Sequence, residues 1–311
     1  MNRLLKAKLE IEAIREKDLL KSIQELEKQN RRKIEDLSMF IERFLIQHEI
    51  VKAEDLMTAL TVEESLKYYK QYHIYYESKE ALLSYLLQEQ FSKMNKELLS
   101  TFNDSLFQSI SKSSFYLEYE LDKHFLNHSS ISSFNQIELE DLLKTPFLNN
   151  HYSKRLETFT KTLTEDTLLK VKESLHEENT IKQTVKQCKD YLQEQDYQLK
   201  RLMITEESFY FNQTTNELYK LNDIEYYQIL STLDTHTSTI CKEQDSKVYR
   251  VDEAETGINK PPFHANCRST DIPYIKGLTD SERAFKLDDN HTQITDDMTY
   301  QEWFNKFYRK N

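Results

Sequence analysis

The sequence predicts a mainly α protein, with a long-helix N-terminal region and a small C-terminal α+β domain. Two of the 311 residues are glycine, where an average composition would give roughly 22. Both glycines, Gly257 and Gly277, come late in the chain, and three of the four prolines lie between them. So few turn-forming residues before position 257 favour helices and disfavour a sheet-rich fold with many tight turns.

The scarcity of glycine also excludes three kinds of active-site loop. The phosphate-binding G-x-x-x-x-G-K-[ST] loop, the dinucleotide-binding G-x-G-x-x-G turn and the G-x-S-x-G nucleophile elbow each need at least two closely spaced glycines. The only two glycines of this chain are Gly257 and Gly277. Nucleotide-binding proteins and hydrolases that depend on these loops are therefore ruled out.

Charge and cysteine content indicate the compartment and the kind of partner. The net charge of -11 disfavours a broad electrostatic hold on nucleic acid. Residues 1–35 nevertheless carry ten Lys and Arg against seven Asp and Glu, and the stretch 303–311 is also basic. Three cysteines fit a reducing compartment, and no apolar run reaches the roughly 18 residues of a membrane helix, so we expect synthesis in the cytoplasm.

The N-terminal region is predicted to consist of long helices. The first helix is expected over about residues 3–48, with an apolar stripe whose members are spaced 3-4-3. The stripe comprises Ile34, Leu37, Ile41 and Phe44. The capping box Thr61-Val-Glu-Glu64 predicts the start of a second helix.

The second helix is predicted to carry a tyrosine cluster. Its members are Tyr68, Tyr69, Tyr72, Tyr75 and Tyr76. Helical spacing would place Tyr68, Tyr72 and Tyr75 on one face, which favours packing against a partner helix. A stacking platform for nucleic-acid bases is the alternative.

Breakers and composition divide the rest of the chain. A Ser- and Asn-rich interval at 126–136 predicts a loop, Pro146 ends a short helix, and residues 153–200 continue the helical pattern. The expected domains are a helical region over 1–200, an α+β motif domain over 201–275, and an acidic linker with a terminal helix over 276–311. Within the last two, Val248 to Val251 and Ile272 to Ile275 are predicted strands, and capping boxes at Thr279 and Thr299 precede the terminal helix around Trp303.

Cys241, His264 and Cys267 form the one group of soft metal ligands in the sequence. A His-x-x-Cys turn with a distant third ligand is found in structural zinc sites, although such sites use four ligands. His236, Asp234 or Asp245 could supply the fourth, and the spacing selects none of them. The alternative is a pair of buried thiols beside a hydrogen-bonded histidine.

Other catalytic arrangements are less well supported. Cysteine catalysis with His264 as base needs an orienting group and an oxyanion hole, and the sequence places neither. The acidic pairs Glu206-Glu207 and Asp288-Asp289 are expected to be solvated surface rather than acid/base pairs.

The stretch from Leu233 to Tyr274 carries a specific composite motif. In order it contains Asp234, Thr237-Ser238, Cys241, Asp245-Ser246-Lys247-Val248-Tyr249, and Gly257-Ile-Asn259-Lys-Pro261-Pro262-Phe-His264-Ala265-Asn266-Cys267-Arg268-Ser269. This order resembles the C-terminal signature of phage head-morphogenesis or minor head proteins, the family of phage Mu protein F. Upstream, Arg201-Leu-Met-Ile-Thr205-Glu206 is similar to the family's Arg-x-x-x-Thr-Glu element, and the Trp303 helix is similar to its closing segment.

Four positions depart from the family pattern. Ser246 replaces a glycine, so serine would bear any positive φ that the turn requires. Ala265 replaces a common proline, while Ser238 and Ser269 replace the cysteines of cysteine-rich members, which weakens the zinc hypothesis. Without metal, His264 and Asn266 would hydrogen-bond the turn backbone, and Arg268 would pair with a carboxylate such as Asp245.

The resemblance implies a minor head protein of a tailed phage or related mobile element. A few copies would lie inside the capsid near the portal, acting in head morphogenesis and in DNA retention or ejection by binding rather than catalysis. The implied partners are the portal protein, capsid and scaffold proteins, and phage double-stranded DNA. The implied location is the host cytoplasm during assembly and then the virion. Delivery to the host cell together with the DNA is left open. The basic segments are the expected DNA contacts: Arg31, Arg32, Lys33, Lys306, Arg309 and Lys310.

Two other functions stay open on the sequence alone. The first is an enzyme, because some family members are fused to toxin or transferase domains, although the 37 residues after Tyr274 are too few for one. The second is an assembly scaffold that is absent from the virion. No cofactor is expected, and zinc is left open.

Overall fold

The computed structural model describes residues 3–125, 134–274, 283–288, 291–295 and 302. Its helices are α1 (Arg3–Gln47), α2 (Ala53–Leu56), α3 (Val62–Tyr72), α4 (Lys79–Phe125), α5 (Gln136–Leu142), α6 (Tyr152–His176), α7 (Ile181–Glu194), α8 (Asp196–Leu221) and α9 (Thr239–Gln244). The strands are β1 (Tyr226–Leu230), β2 (Val248–Arg250), β3 (Thr270–Pro273), β4 (Arg283–Asp288) and β5 (His291–Thr295). The predicted fold class, long helices followed by a small α+β region, is confirmed.

The chain forms two compact units, each assembled from separate segments. The sheet unit comprises Met1–Ser22, Asn103–Asn149 and Lys200–Asn311, and the helical unit comprises Ile23–Phe102 and Asn150–Leu199. Helices α1, α4 and α8 contribute residues to both units. The division at residues 200 and 275 that composition suggested stays a prediction.

The helical unit is built on the apolar stripe of α1. All four stripe residues from Ile34 to Phe44 are buried, as the 3-4-3 spacing predicts. Asn30, one turn before Ile34, is also buried, and its side-chain amide donates to the carboxylate of Asp196. A polar residue on the buried face is tolerated here because its hydrogen bond offsets the loss of solvent.

Helix α3 begins at the predicted capping box but ends earlier than the tyrosine pattern suggests. Glu64 N–H donates to the Thr61 hydroxyl, and the Glu64 carboxylate accepts from Thr61 N–H. The helix ends at Tyr72 because His73 adopts the left-handed conformation (φ 57°). Tyr75 therefore does not share a helical face with Tyr68, and that part of the prediction is wrong.

The sheet unit is organised around α8. From Met203 to Tyr219 most of this helix is buried, and its buried Thr214 and Thr215 donate their hydroxyls to the carbonyls one turn earlier. Eleven buried residues, three of them on α8 itself, form the core: Leu117, Phe211, Leu218, Tyr219, Ile224, Tyr227, Ile229, Cys241, Val251, Phe263 and Cys267. Two of the three cysteines are thus part of this core.

A three-stranded antiparallel sheet in the order β2-β1-β3 covers this core. Tyr227 of β1 pairs with Tyr249 of β2 on one side and with Pro273 of β3 on the other. The predicted strands β2 and β3 are confirmed, but the central strand β1 had not been predicted. A separate antiparallel pair, β4 and β5, lies further along in the segment expected to be an acidic linker.

Several predictions fall on parts of the chain that the structure does not describe. These are most of the loop at 126–136, the capping boxes at Thr279 and Thr299, and the terminal helix around Trp303. Within the described ranges, no helix combines the length and apolar character needed to cross a membrane.

Candidate metal centre and its motif loop

Cys241, His264 and Cys267, hereafter the cluster, meet at one point in the sheet unit. Cys241 Sγ lies 3.1 Å from His264 Nε2 and 3.7 Å from Cys267 Sγ. All three potential ligand atoms lie within 4.8 Å of one another. The structure therefore brings together the three residues that the sequence singled out.

Two local structures place the cluster residues. Ser238 is the N-cap of α9, and its hydroxyl accepts from Cys241 N–H, which fixes Cys241 in the first turn. The other two residues lie on residues 254–269, the motif loop. Cys267 N–H donates to the His264 carbonyl, closing a tight turn, and Asn266 within that turn has a φ of 60°.

The orientation of His264 leaves one ring nitrogen facing the sulfurs. Its Nδ1 lies 2.8 Å from the carbonyl oxygen of Ala265. Because a carbonyl only accepts, Nδ1 carries the proton and Nε2 presents its lone pair to Cys241. A histidine that ligates a metal commonly has its second nitrogen fixed by a carbonyl in this way.

The donor set and spacing fit zinc with three protein ligands. Zinc–sulfur bonds of about 2.3 Å in a tetrahedral site put two thiolates about 3.8 Å apart; the two Sγ atoms here are 3.7 Å apart. The Cys241 Sγ to His264 Nε2 distance of 3.1 Å is shorter than the roughly 3.5 Å of such a site, so a small shift would be needed. Two sulfurs and one imidazole are the donors that zinc prefers.

The two thiols interact directly. The hydrogen bond from Cys241 lowers the pKa of the Cys267 thiol, and N–H groups of Phe263 and Ser269 stabilise its thiolate further. The same bond, together with burial, raises the pKa of Cys241. Cys267 is thus the sulfur that more readily takes the thiolate form that binds metals.

The positions that are cysteine in cysteine-rich relatives also lie at the cluster. Ser238 Oγ is 2.8 Å from His264 Nε2. Ser269 hydrogen-bonds to Cys241 and lies 3.2 Å from Ser231 Oγ. Hydroxyls therefore stand where the family pattern would place two further sulfurs.

None of the expected fourth ligands joins the cluster among the described residues. Asp234 forms a two-pronged ion pair with Arg268, with distances of 2.5 and 2.9 Å. Arg268 thus pairs with a carboxylate as expected, but its partner is Asp234 and not Asp245, which accepts from Ser231 N–H. His236 is exposed, and its N–H donates to Asp234.

The motif loop is held by its own polar residues. Gly257 has a φ of 88°, which glycine adopts without strain, and Pro261-Pro262 contains a cis peptide bond. The Asn259 side chain accepts from Glu255 N–H and donates to the Glu253 carbonyl. The Tyr227 hydroxyl donates a hydrogen bond of 3.1 Å to the backbone carbonyl of Asn259, and this bond joins the loop to β1.

Lys260, next to these residues, forms a buried ion pair that the sequence did not reveal. Its Nζ lies 2.9 Å from Asp271 Oδ2, with both side chains almost fully buried. The ammonium also lies 4.2 Å from the centre of the Tyr227 ring and 5.1 Å from that of Tyr219. The pair anchors the motif loop to β3, and cation–π contacts add to it.

The Arg201-x-x-x-Thr205-Glu206 element of α8 meets the motif loop directly. Asn266 N–H donates to the Thr205 hydroxyl, which itself donates to the carbonyl of Arg201. The two sequence elements, 61 positions apart, are therefore parts of one site. The Arg201 side chain is exposed.

The acidic pair on α8 is buried, which corrects the expectation of a solvated surface. Glu207 binds the guanidinium of Arg15 on α1 in a two-pronged contact and accepts from Ser109 of α4. Arg15 also lies over the ring of Phe211. The burial of Glu207 is possible because this cation, 192 positions away, neutralises it. Asp288-Asp289, the other pair, falls on side chains that the structure does not describe.

Residues 166–272 match the family model described as Phage Mu protein F like protein. The predicted resemblance to this family is confirmed over these residues. This Mu F-like segment covers about a third of the chain and contains α8, the cluster, the motif loop and the sheet. The family is one of phage head morphogenesis. Searches of curated proteins and of solved structures returned no significant match.

Ser246 of the Mu F-like segment bears the strained turn that the missing glycine predicts. Its φ is 64°, and its N–H donates to the Ile229 carbonyl, so the turn between α9 and β2 keeps its shape. The neighbouring Lys247 has an exposed side chain, and its carbonyl accepts from Ile229 N–H. The backbone rather than the Lys247 side chain fixes this part of the motif.

The expected DNA contacts differ in their surroundings. Arg31 and Arg32 are exposed on α1, whereas Lys33 pairs with Glu97 at 2.8 Å. Lys306, Arg309 and Lys310 lie outside the described residues. DNA contact by any of the six stays a prediction.

We predict that Lys260→Met lowers the free energy of unfolding by about 3–5 kcal/mol, because the Asp271 carboxylate would stay buried without its cation. The double variant Lys260→Met/Asp271→Leu should recover much of this loss, since it buries no charge. Urea denaturation measures both. Lys220→Met, which removes an exposed cation from the same unit, is the matched control and should change stability much less. Equal losses in the single and double variants would show that the cost does not come from an uncompensated charge on Asp271.

We predict that Ser246→Gly raises the free energy of unfolding by about 1 kcal/mol, because glycine adopts a positive φ without the steric cost of a Cβ. Ser246→Ala is the control: it removes the hydroxyl but keeps the Cβ, so it should not stabilise. Thermal and urea unfolding of the three proteins give the comparison. If glycine proves no better than alanine at this position, the turn carries no strain.

Proposed function

We propose that this chain is a minor head protein of a tailed phage or a related mobile element. It would lie inside the capsid near the portal vertex and act in head morphogenesis and in DNA retention or ejection. The match of residues 166–272 to the Mu F-like family carries the proposal. The contacts that join Thr205, the cluster and the motif loop support it, because the motif residues then hold one loop in place.

We propose a mechanism of binding rather than catalysis. Cys241 and Cys267 are both buried, so a substrate has poor access to either sulfur. Burial and the hydrogen bond to Cys267 raise the pKa of Cys241, which disfavours it as a nucleophile. The ring of His264 is oriented by a backbone carbonyl and not by a carboxylate, unlike the base of a catalytic triad.

The proposed partners are the portal protein, capsid or scaffold proteins, and double-stranded DNA. The helical unit would supply the protein contacts, since its long helices expose extended faces. Arg31 and Arg32, side by side and exposed on α1, are the proposed phosphate contacts. A protein with a net charge of -11 would rely on such local contacts.

We further propose that Cys241, His264 and Cys267 hold a zinc ion. Zinc would supply structural cross-linking and no reaction step: it would join α9 to the motif loop, which are otherwise connected through hydrogen bonds. Ser238 and Ser269 would hydrogen-bond to the Cys241 thiolate and keep it oriented.

The zinc proposal predicts about one zinc ion per chain in protein purified without chelator, measured by elemental mass spectrometry. Cys267→Ser should lose most of the metal, because a site with one thiolate and one imidazole binds zinc far more weakly. Cys188→Ala is the matched control, since Cys188 is a buried cysteine on α7 in the other unit and should leave zinc content unchanged. Absence of zinc from the unmodified protein, with Cys241 free to react once the chain is unfolded, would exclude the proposal.

Mass spectrometry of purified DNA-filled particles tests the proposed location. A minor head protein should be present in mature particles at a constant ratio to portal, whereas a scaffold should be present in proheads only.

In the same particles, Arg31→Glu/Arg32→Glu should lower the DNA retained at moderate salt. Lys182→Glu/Lys186→Glu on α7 makes the same charge change at exposed positions and serves as the control. A chain absent from mature particles would contradict the proposal.

A further inference from the structure

Helix α3 has two apolar faces, and one of them is exposed. Tyr68 is buried on the inner face, where its hydroxyl lies 3.1 Å from His48 Nε2. Val62, Leu66 and Tyr69, hereafter the exposed stripe, have relative exposures of 78%, 48% and 37%. Their i, i+4, i+7 spacing places them in one row along the helix. A helix that packs on only one side would not need this second row.

The exposed stripe continues beyond the helix. Tyr75, which is 66% exposed, stacks on Tyr69 with ring centres 4.4 Å apart and an interplanar angle of 16°. This contact lengthens the apolar surface past the C-terminal cap at His73. The result is a continuous row of large apolar side chains, of the kind that marks a protein–protein contact.

Two opposite charges lie nearest the stripe on the same edge, and the exposed Lys67 lies further round the helix on that side. Glu63 and Lys70 are seven positions apart, which is close to two helical turns, so both project from one side of the row. Both are exposed, and neither forms an ion pair with another residue that the structure describes. The other edge presents the uncharged Ser65.

We propose that the exposed stripe binds the same stripe of a second copy of this chain, with the two α3 helices antiparallel about a two-fold axis. In antiparallel packing, residues on the same edge of the two helices face each other. Glu63 of one copy then faces Lys70 of the second, and Lys70 faces Glu63, which gives two opposite-charge contacts. A parallel arrangement would instead set this edge against the edge that carries Ser65. The surface is therefore complementary to itself in one orientation.

The size of the contact sets its strength. Eleven residues of helix span about 16 Å, so the buried surface is smaller than the roughly 1,200 Å² of a stable complex. We expect a reversible dimer with a dissociation constant of about 1–100 µM. This inference rests on the helical unit alone and not on the family or the zinc site.

Sedimentation of the full chain from about 1 to about 200 µM tests the dimer. The unmodified protein should shift from monomer to dimer over this range, and Leu66→Glu should weaken association at least about ten-fold by placing a charge in the contact. Leu169→Glu on α6 is the matched control, because Leu169 is equally exposed, at 50%, and lies off the stripe. Circular dichroism and thermal unfolding verify that each variant stays folded.

Charge exchange tests the orientation. Glu63→Lys and Lys70→Glu should each weaken self-association about three- to ten-fold, because each replaces two attractions by two repulsions. The double variant should restore it, and a mixture of the two single variants should form mixed dimers. The proposal is overturned if the chain stays monomeric throughout, or if Leu66→Glu leaves the dimer unchanged. It is also overturned if no dimer forms and phage particles assembled with the Leu66→Glu variant lack another phage protein, because the stripe would then bind that protein. If the charge-exchange variants associate as strongly as the unmodified protein, the antiparallel arrangement is overturned.

Discussion

The ion pair between Lys260 and Asp271 is the contact that fixes the motif loop within the Mu F-like segment. It joins the motif loop to β3 beneath two tyrosine rings, with both charges removed from solvent. Removing two charges from water is costly, and their attraction offsets this only where the geometry is fixed. The loop must therefore keep one conformation for the pair to form. That conformation also brings His264 and Cys267 to Cys241, so the cluster follows from the anchor.

The loop reaches this conformation with very little glycine. Within the loop Gly257 supplies one positive φ and Asn266 another, and Ser246 supplies a third in the turn between α9 and β2; the last two carry the steric cost of a Cβ. Their compensation comes from hydrogen bonds: Ser246 N–H to the Ile229 carbonyl and Asn266 N–H to Thr205. Thr205 lies on the buried helix α8, which is why a helix and a loop far apart in sequence share one motif.

The features that depend on local periodicity could be predicted from the sequence. Features that depend on a residue far away in the sequence could not. The α1 stripe, the Thr61 cap and strands β2 and β3 follow from spacing and turn residues. Strand β1 was missed because Tyr226–Leu230 follows a long helix after a short turn without glycine or proline. Glu207 was expected to be solvated because its cation, Arg15, lies 192 positions earlier, and no local sequence pattern pairs Lys260 with Asp271. The end of α3 was missed because a histidine, not a glycine, takes the left-handed cap.

The distribution of chemistry favours a role in assembly. The two thiols of the cluster are buried and its imidazole is partly buried, so these groups can stabilise the Mu F-like segment but are poorly accessible to a substrate. What the helical unit presents to its surroundings is an apolar row on α3 and basic side chains on α1. Evolution of an enzyme would be expected to leave its nucleophile accessible and its apolar surface covered. The opposite arrangement is expected of a protein that acts by binding other molecules. The buried groups then fix the shape of the protein, and the exposed apolar and basic side chains determine which partners it binds.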